Sequence, residues 1–418
     1  MSLARMPTLV RSCSGRLLGV TVALSLLLAS AVLSAPPAHA DATVGAASGG
    51  FVLRGSGYGH GWGMSQYGAY GAARKGLDWT QILGFYYPRT SRTSMPARTT
   101  IKVWVSADND SSLWLSPAPG LKITDGSGHS FTVPTGSSYR SWRVSRSGAG
   151  YRLTYRNPAG KDTTVATTLS TTTWTVQNTA RVIKLGMPDH SAREYRGSIQ
   201  LVKRDTGART VNQVSLEDYV RAVVPAEMPT SWAAEAVKAQ AVAARSYAVR
   251  IRDFTNYSGY DVCDTQNCQV YGGAARTRQG RRTVLETAGG DAATRATSGV
   301  ILTYGGKVAL TQFASSNGGN SAQGDYPYLT AHPDPYDGVI TSQAWSRTIT
   351  AASIARVWPS VGTVQKLQIT SRDGAGSWGG RVQSIKIIGS EKTISVSGTS
   401  FQYTFGLRSS LFTAARSS

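Results

Sequence analysis

Residues Val211–Val249 decide the fold, and they read VNQVSLEDYVRAVVPAEMPTSWAAEAVKAQAVAARSYAV. The apolar spacing predicts a short helix over Leu216–Val224 and a long alanine-rich helix from about 232 to 251. We expect a tight, rigid loop between Pro225 and Pro229, because proline fixes φ and has no backbone N–H. The alanines along one face of the long helix indicate close packing against another element.

Outward from this stretch the pattern changes to short strands. From about 98 to 200, clusters of β-branched and aromatic residues alternate with Gly, Pro, Asn and Asp, which predicts an all-β module. Strands return from 299 onward and end in a β-rich run from Val364 to Phe405. The prediction is therefore an α+β fold: a mixed domain with a long alanine-rich helix, plus a β-rich inserted module.

One carboxylate stands between the two prolines. Glu227 has apolar neighbours in Val223, Val224 and Met228. Apolar surroundings destabilise the charged form of a carboxyl group and raise its pKa, which is what a general acid needs near neutral pH. An ordinary surface glutamate, or one that caps the next helix, is the alternative, and composition by itself favours that alternative.

A second block, residues Gly57–Thr90, reads GYGHGWGMSQYGAYGAARKGLDWTQILGFYYPRT. Four glycines at alternate positions from 57 to 63 would let the backbone approach a ligand closely. Donors, acceptors and an aromatic face of the kind that sugar binding requires follow at His60, Ser65, Gln66 and Tyr67. A structural glycine loop is the alternative, whereas the spacing does not fit a dinucleotide-binding loop.

Together these motifs resemble the stage II sporulation protein D family (SpoIID/LytB). That family's signature is a Val-Pro-x-Glu-Met-Pro loop, a tryptophan, and a Lys-Ala-Gln-Ala-Val-Ala-Ala-Arg helix. The matching residues here are Pro225, Glu227, Met228, Pro229, Trp232, Lys238, Gln240, Ala241 and Arg245. The Gly57–Thr90 block resembles the family's Gly-His-Gly-x-Gly-Met-Ser-Gln-Tyr-Gly-Ala element, but here it precedes the helix that it follows in many members.

Further segments extend the resemblance over most of the chain. They include FASSNGGN at 313–320 and the tail Phe401–Phe412. After the two glycines of the first segment the family often has threonine and glutamate, where this chain has Asn320 and Ser321. Any role of that glutamate is therefore absent here or supplied elsewhere.

The resemblance implies an enzyme that cuts peptidoglycan glycan strands, a lytic transglycosylase, with Glu227 as its catalytic residue and with no cofactor. The expected substrate-binding residues are His60, Ser65, Gln66, Tyr67, Gln240, Arg245, Ser315 and Ser316. One carboxylate suffices for that reaction, and a mechanism with a second carboxylate is the alternative. We interpret Glu217 and Asp218 as structural, and Glu235 also lies near Glu227 in sequence. The alternatives are a non-catalytic amidase enhancer and a structural wall-binding protein.

The first 40 residues predict export. Arginines precede an apolar run over Leu17–Leu33, and Ala38-His39-Ala40 then offers a small-residue cleavage site, as in a secretory signal peptide. A membrane anchor is the alternative, and the cleavage site favours removal. We expect a secreted protein associated with the cell wall.

Two cysteines follow the predicted signal peptide, Cys263 and Cys268. Two cysteines in an exported protein most often form a disulfide, which is our prediction. A metal site would need three or four ligands. No histidine lies near the pair in sequence, and we expect no metal.

The chain carries 44 Lys+Arg against 23 Asp+Glu, a formal net charge of +21. Such a charge can favour nucleic acid, but an exported protein meets the polyanions of the wall instead. The expected partners are peptidoglycan glycan strands, anionic cell-wall polymers and a cell-wall amidase, and no nucleic acid. The arginines are scattered along the sequence, which suits a diffuse attraction to the wall.

The expected organisation follows from these patterns in six parts. In chain order they are a signal peptide (1–40), a flexible lead-in (41–50), the glycine-rich block as part of the catalytic domain (51–95), the β-rich module (96–200), the catalytic core (201–345), and a β-rich C-terminal part of the catalytic domain (346–418).

Overall fold

A computed structural model describes residues 43–46, 50–148, 150–168, 173–204, 206–255 and 257–416. The predicted signal peptide lies outside these ranges. Within them, no helix combines the length and the apolar character needed to cross a membrane. The fold is mixed α+β, as predicted.

Seven α-helices occur in the described ranges. They are α1 Gln66–Arg74, α2 Trp79–Tyr86, α3 Leu216–Glu227, α4 Ala234–Phe254, α5 Ala288–Ala296, α6 Ala351–Val357 and α7 Gly398–Thr404. Two single turns of 3₁₀-helix are Pro359–Val361 and Ser377–Gly379. Both α1 and α2 lie in the glycine-rich block, for which the sequence pattern predicted no helix.

The alanine-rich helix α4 is central, and it packs against α1, α2, α3 and α5. Ala236, Ala239 and Ala243 are fully buried, so small side chains allow these helices to approach closely. The predicted loop after α3 is wrong in one respect: α3 continues to Glu227 and includes Pro225. The fixed φ of proline is compatible with a helix, and in the last turn its missing N–H removes a single hydrogen bond.

A seven-stranded sheet joins the predicted β-rich module to the predicted core. In spatial order its strands are Val262–Cys263, Thr100–Trp104, Ala208–Ser215, Ser198–Lys203, Trp174–Asn178, Leu121–Thr124 and Ser130–Thr132. Its pairs are antiparallel, except that Val262–Cys263 runs parallel to Thr100–Trp104.

An eight-stranded antiparallel sheet also mixes the two regions. In spatial order its strands are Asp162–Thr168, Gly150–Arg156, Ser141–Ser147, Ser112–Leu115, Val182–Gly186, Ala192–Arg196, Ala275–Arg278 and Arg281–Val284. Buried residues of both sheets and of α1 to α5 belong to one hydrophobic cluster. The β-rich segment therefore shares its core with the helices.

A second hydrophobic core is built from both ends of the described chain. Phe51 and Leu53 pack there with Ile385, Phe401 and Phe412. One sheet over this core has the order Ala344–Ile349, Phe51–Ser56, Phe412–Arg416, and another has the order Val44–Gly45, Val364–Arg372, Val382–Gly389, Thr393–Ser397. The first strand of the 51–95 block thus packs with the C-terminal part rather than with α1 and α2.

Two small sheets complete the fold. One has the order Lys307–Val308, Val300–Tyr304, Ser91–Ser94, and the other pairs Phe313–Ala314 with Met64–Ser65 in parallel. The second of these brings the glycine-rich block beside the 313–320 segment.

Arg245 holds α4 in this arrangement and does not reach solvent. Its side chain is fully buried, and it donates to both carboxylate oxygens of Glu217 at 2.8 and 2.7 Å. A third bond goes to the carbonyl oxygen of Val300 at 3.1 Å. The predicted contact of Arg245 with substrate is therefore replaced by a structural ion pair between α4 and α3.

We expect Arg245→Ala to lower the free energy of unfolding by about 3 kcal/mol, because the Glu217 carboxylate loses its partner and a buried volume is emptied. Arg245→Lys keeps the charge but not the bidentate geometry, and should lose less. Urea denaturation of both variants at pH 7 measures this. Equal stability of Arg245→Ala and the parent protein would contradict the structural role.

Candidate active site

Glu227 lies at the carboxyl end of α3 with its side chain half-buried. One side-chain oxygen, Oε1, accepts a hydrogen bond from the backbone N–H of Val270 at 2.8 Å. Burial raises the pKa of Glu227 above its ordinary value, and the Val270 hydrogen bond opposes part of that rise. The carboxyl group is thus biased towards its protonated form while keeping a fixed orientation.

A cleft of about 500 Å³ opens in front of this carboxyl group. Residues from five separate parts of the chain line it: Tyr58, Gly59, His60, Gln66, Ala226, Glu227, Tyr247, Gln266, Asn267, Cys268, Val270, Gln312, Phe313, Ala314 and Ser315. Among these described lining residues, Glu227 is the only carboxylate. Of the predicted site residues, His60, Gln66, Ser315 and Glu227 therefore share one cleft.

Gln66 connects the glycine-rich block to the end of α3. Its side-chain Nε2 lies 3.0 Å from the Glu227 carbonyl oxygen, to which it donates, and 3.3 Å from Oε1 of Gln240. Gln240 is fully buried beneath the cleft and does not line it. It therefore positions Gln66, and the predicted substrate contact of Gln240 is not part of this geometry.

The glycines of the Gly57–Thr90 block allow two parts of the chain to approach each other closely. Tyr58 and Ser316 exchange backbone hydrogen bonds of 2.9 and 3.1 Å. At Gly59, where φ is +114°, an added Cβ would lie 2.6 Å from the Cβ of Ala314. The expectation that these glycines admit a ligand is thus corrected at Gly59, where the space beside Cα is filled by the 313–320 segment.

Three further predicted residues have structural roles. Ser65 caps α1, since its Oγ accepts from the N–H of Gly68 at 3.0 Å. Ser316 is fully buried and donates to Oδ2 of Asp337 at 2.7 Å. Tyr67 packs its ring on Trp232 with centroids 4.9 Å apart. None of these three side chains lines the cleft, so their predicted substrate contacts are not supported by the geometry.

His60 is a neutral cleft residue. Burial and the positive charge of Arg381 lower its pKa from 6.5 to about 4, although a hydrogen bond with the Phe313 backbone acts in the opposite direction. Ring Nδ1 accepts from the N–H of Trp62 at 3.0 Å, so the single proton of the neutral ring resides on Nε2. His60 can therefore donate a hydrogen bond but cannot supply a positive charge at neutral pH.

Cys263 and Cys268 are joined by a disulfide, with their Cα atoms 5.4 Å apart. The bridge closes a short loop that presents the exposed side chains of Gln266 and Asn267 to the cleft. The sequence pattern predicted the disulfide but did not select these two amides as cleft residues. In the described residues no cluster of His, Cys, Asp and Glu could hold a metal ion.

The other carboxylates near Glu227 in sequence are engaged elsewhere. Glu217 pairs with Arg245, as described above. Asp218 accepts from Oγ of Ser215 at 2.8 Å, and Glu235 pairs with Lys238 at 2.6 Å. The interpretation of Glu217 and Asp218 as structural residues agrees with this geometry. Glu227 is thus left as the acid of the cleft.

The departure from the family pattern after the paired glycines has a local structural account. Ser321 is buried and donates to the carbonyl oxygen of Thr330 at 2.8 Å. The preceding turn is held by Asp337, whose Oδ2 accepts from the N–H of Gly318 at 2.7 Å. Neither Ser321 nor Asp337 lines the cleft, so no second carboxylate enters it from this segment.

Comparison with known proteins matches part of this site to a recognised domain. The family model described as stage II sporulation protein (SpoIID) matches residues 204–304, the stretch that contains Glu227, α4 and the disulfide loop. The similarity to the SpoIID family model thus covers about a quarter of the chain, 101 of 418 residues. The match also covers Val270 and the strand Val300–Tyr304, so the domain includes the hydrogen-bond donor to Glu227 as well as Glu227 itself.

Three relatives resemble the chain over about a third of its length. It is 35% identical over 141 residues to an uncharacterised protein of Brachyspira hyodysenteriae, covering 34% of this chain and 36% of the relative. It is 34% identical to the amidase enhancer of Bacillus subtilis, covering 31% and 17%. It is 35% identical to the stage II sporulation protein D of the same organism, covering 35% and 46%. The matches thus span less than half of each relative.

We expect His60 to make the protein less stable in acid. The unfolded chain binds this proton near pH 6.5 and the folded protein only near pH 4, so stability falls as pH drops through that window, by at most about 3 kcal/mol. In His60→Asn the amide oxygen can replace Nδ1 as acceptor for Trp62, and this part of the pH dependence disappears.

Urea unfolding at pH 7 and pH 4.5 measures the difference. His190→Asn is the matched control, because His190 is exposed and its positive φ of 62° suits asparagine. If His60→Asn loses as much stability between the two pH values as the parent does, the histidine is not the buried neutral group described here.

Proposed function

We propose that this protein cleaves the glycan strands of bacterial peptidoglycan as a lytic transglycosylase, with Glu227 as the catalytic acid. The observation that carries the proposal is the isolation of Glu227 as the one carboxylate among the described residues of the cleft. A hydrolytic glycosidase normally uses two carboxylates across the scissile bond. A reaction in which the sugar supplies its own nucleophile needs one.

In the first half of the reaction, protonated Glu227 donates to the glycosidic oxygen. The bond from the anomeric carbon to that oxygen breaks, and the departing sugar leaves with a new hydroxyl group. The raised pKa of Glu227 favours the protonated starting state, and the Val270 N–H steadies the carboxylate that is left behind.

In the second half, the C6 hydroxyl of the muramic acid attacks its own anomeric carbon. The Glu227 carboxylate accepts the hydroxyl proton and returns to its starting protonation state. The product is a 1,6-anhydro sugar, no water is consumed, and the protein forms no covalent bond to the sugar. A single residue that is first acid and then base thus completes the cycle.

Neutral polar groups around Glu227 suit an uncharged sugar polymer. The 266–268 loop offers amides and Ser315 offers a hydroxyl, while the N–H of His60 is engaged by the Phe313 backbone. Orientation of the scissile bond by such groups contributes a large part of enzymatic rate acceleration. Gln66 acts indirectly, because its side chain donates to the carbonyl oxygen of Glu227 and so positions that residue.

The alternative is a wall-binding enhancer of an amidase. The relative of that name in Bacillus subtilis is 34% identical over 136 residues, and one fold can serve both roles. An enhancer would bind glycan and stimulate a cell-wall amidase without producing anhydro ends. Formation of anhydro ends by the purified protein therefore separates the two functions.

Export and attachment to an anionic wall are part of the proposal. The hairpin Ala275–Val284 carries exposed side chains at Arg276, Arg278 and Arg281, so the structure gathers arginines that the sequence presented as scattered. Arg278 lies directly opposite Arg281, and Arg276 opposite Arg193. Like charges facing each other are unfavourable, and an anionic wall polymer bound there would relieve the repulsion.

We expect Glu227→Gln to reduce glycan cleavage by about 10²–10⁴-fold, because the amide has the shape of the acid but cannot cycle a proton. Binding to the wall should persist. The measurement is mass spectrometry of anhydro ends released from isolated glycan strands. Glu391→Gln is the matched control, since Glu391 is exposed and outside the cleft. Undiminished cleavage by folded Glu227→Gln would falsify the assignment.

The arginine hairpin is tested by changing Arg276, Arg278 and Arg281 together to glutamine. Sedimentation with isolated walls should show roughly tenfold weaker binding at low salt, a difference that shrinks as salt screens the charges. The control removes three exposed arginines elsewhere, namely Arg54, Arg74 and Arg356. Equal losses in the two triple variants would mean that net charge alone governs wall binding.

A further inference from the structure

An aromatic cluster lies at the edge of the seven-stranded sheet, outside the cleft. It consists of Trp104, Tyr257 and Tyr260, which we call the aromatic platform. The rings of Tyr257 and Tyr260 stack with centroids 4.8 Å apart and an interplanar angle of 4°. Trp104 adjoins Tyr260 at 5.6 Å. Tyr257 is 44% exposed, which is unusual for so large a ring in a packed stack.

Arg209 fixes the platform from the sheet side. Its guanidinium carbon lies 4.6 Å from the Trp104 ring centre and 4.5 Å from that of Tyr260. Its Nη1 donates to the carbonyl oxygen of Ser258 at 3.0 Å, which secures the turn between the two tyrosines. The rings are therefore held in orientation before any ligand arrives, so that little side-chain entropy is lost on binding.

The platform is connected to the cleft along the chain. From Tyr260 the chain enters the strand Val262–Cys263, which pairs with Thr100–Trp104, and then the disulfide loop that lines the cleft. Burial raises the pKa of Tyr247, a cleft residue, and Tyr257 adds to that rise. The exposed Gln266 and Asn267 follow the platform along the chain, in the disulfide loop that also lines the cleft.

We propose that the aromatic platform is a distal subsite that binds sugars of the same glycan strand whose scissile bond lies at Glu227. Pyranose rings present apolar C–H faces that stack on aromatic rings, and their hydroxyl and acetamido groups would meet the amides of the adjoining disulfide loop. This inference rests on the proposed function for the identity of the polymer. It adds a dependence on strand length, because only a strand that extends beyond the cleft can reach Tyr257.

The test uses Tyr257→Ala in the full chain. Removing an aromatic stacking partner typically changes binding by about tenfold. We therefore expect a roughly tenfold rise in KM for long glycan strands, an unchanged kcat, and no change for short oligosaccharides that fill only the cleft. Tyr257→Phe keeps the ring and should behave like the parent. Tyr403→Ala removes another highly exposed tyrosine, one outside the cleft and the platform, as a matched control.

A separate measurement of binding tests the platform independently of catalysis. Affinity for long and short glycan oligomers is measured by calorimetry in Glu227→Gln protein, with and without Tyr257→Ala. Loss of the preference for long strands supports the subsite even if the parent protein proves not to cleave. The same preference with and without Tyr257, in folded protein with an unchanged melting temperature, overturns it.

Discussion

The hydrogen bond from the Gln66 side chain to the carbonyl oxygen of Glu227 is the contact on which the site depends. The last turn of a helix leaves carbonyl groups without helical partners, and α3 ends at Glu227. An amide from the glycine-rich block satisfies the last of them. This bond joins two stretches of chain separated by 161 positions. It holds the glycine-rich block, which lines part of the cleft, beside Glu227. Gln240, buried under Gln66, holds the donor in place.

The electrostatics of the cleft follow from where the cations are placed. Arg245 is drawn into the core by Glu217. Arg381 is also buried, and it donates to the carbonyl oxygens of Gly59 and Asn317 at 3.2 and 3.0 Å. Burial lowers the pKa of His60 and keeps the ring neutral, and the charge of Arg381 adds to this effect although Arg381 does not line the cleft. Burial then has the largest effect on the pKa of Glu227 and raises it, as a general acid requires. A cation beside the carboxyl group would lower the pKa instead.

The same arrangement explains why the β-rich segment cannot be separated from the helices. Strand Thr100–Trp104 lies between Ala208–Ser215 and Val262–Cys263 in one sheet. The β-rich segment thus pairs with the strand that leads into the disulfide loop, and it carries Trp104 as the last residue of its own strand.

Helix periodicity identified α3 and α4 because their apolar positions repeat. It missed α1 and α2, since the glycines and aromatic residues of that block obscure the pattern, and Ser65 and Asp78 start those helices by capping.

The sequence by itself determined the α+β class, the alanine-rich helix and the cysteine pair, and it singled out Glu227 as the candidate acid, because each follows from local spacing or from a long motif. It could not determine which polar residues face the cleft. Arg245, Ser65 and Ser316 have side chains suited to substrate binding. Their polar groups are instead engaged in an ion pair, a helix cap and a turn. The donor to Glu227 is the backbone N–H of Val270, and a backbone donor cannot be recognised from the residue type. Those assignments depend on contacts between distant parts of the chain, and only the tertiary structure decided them.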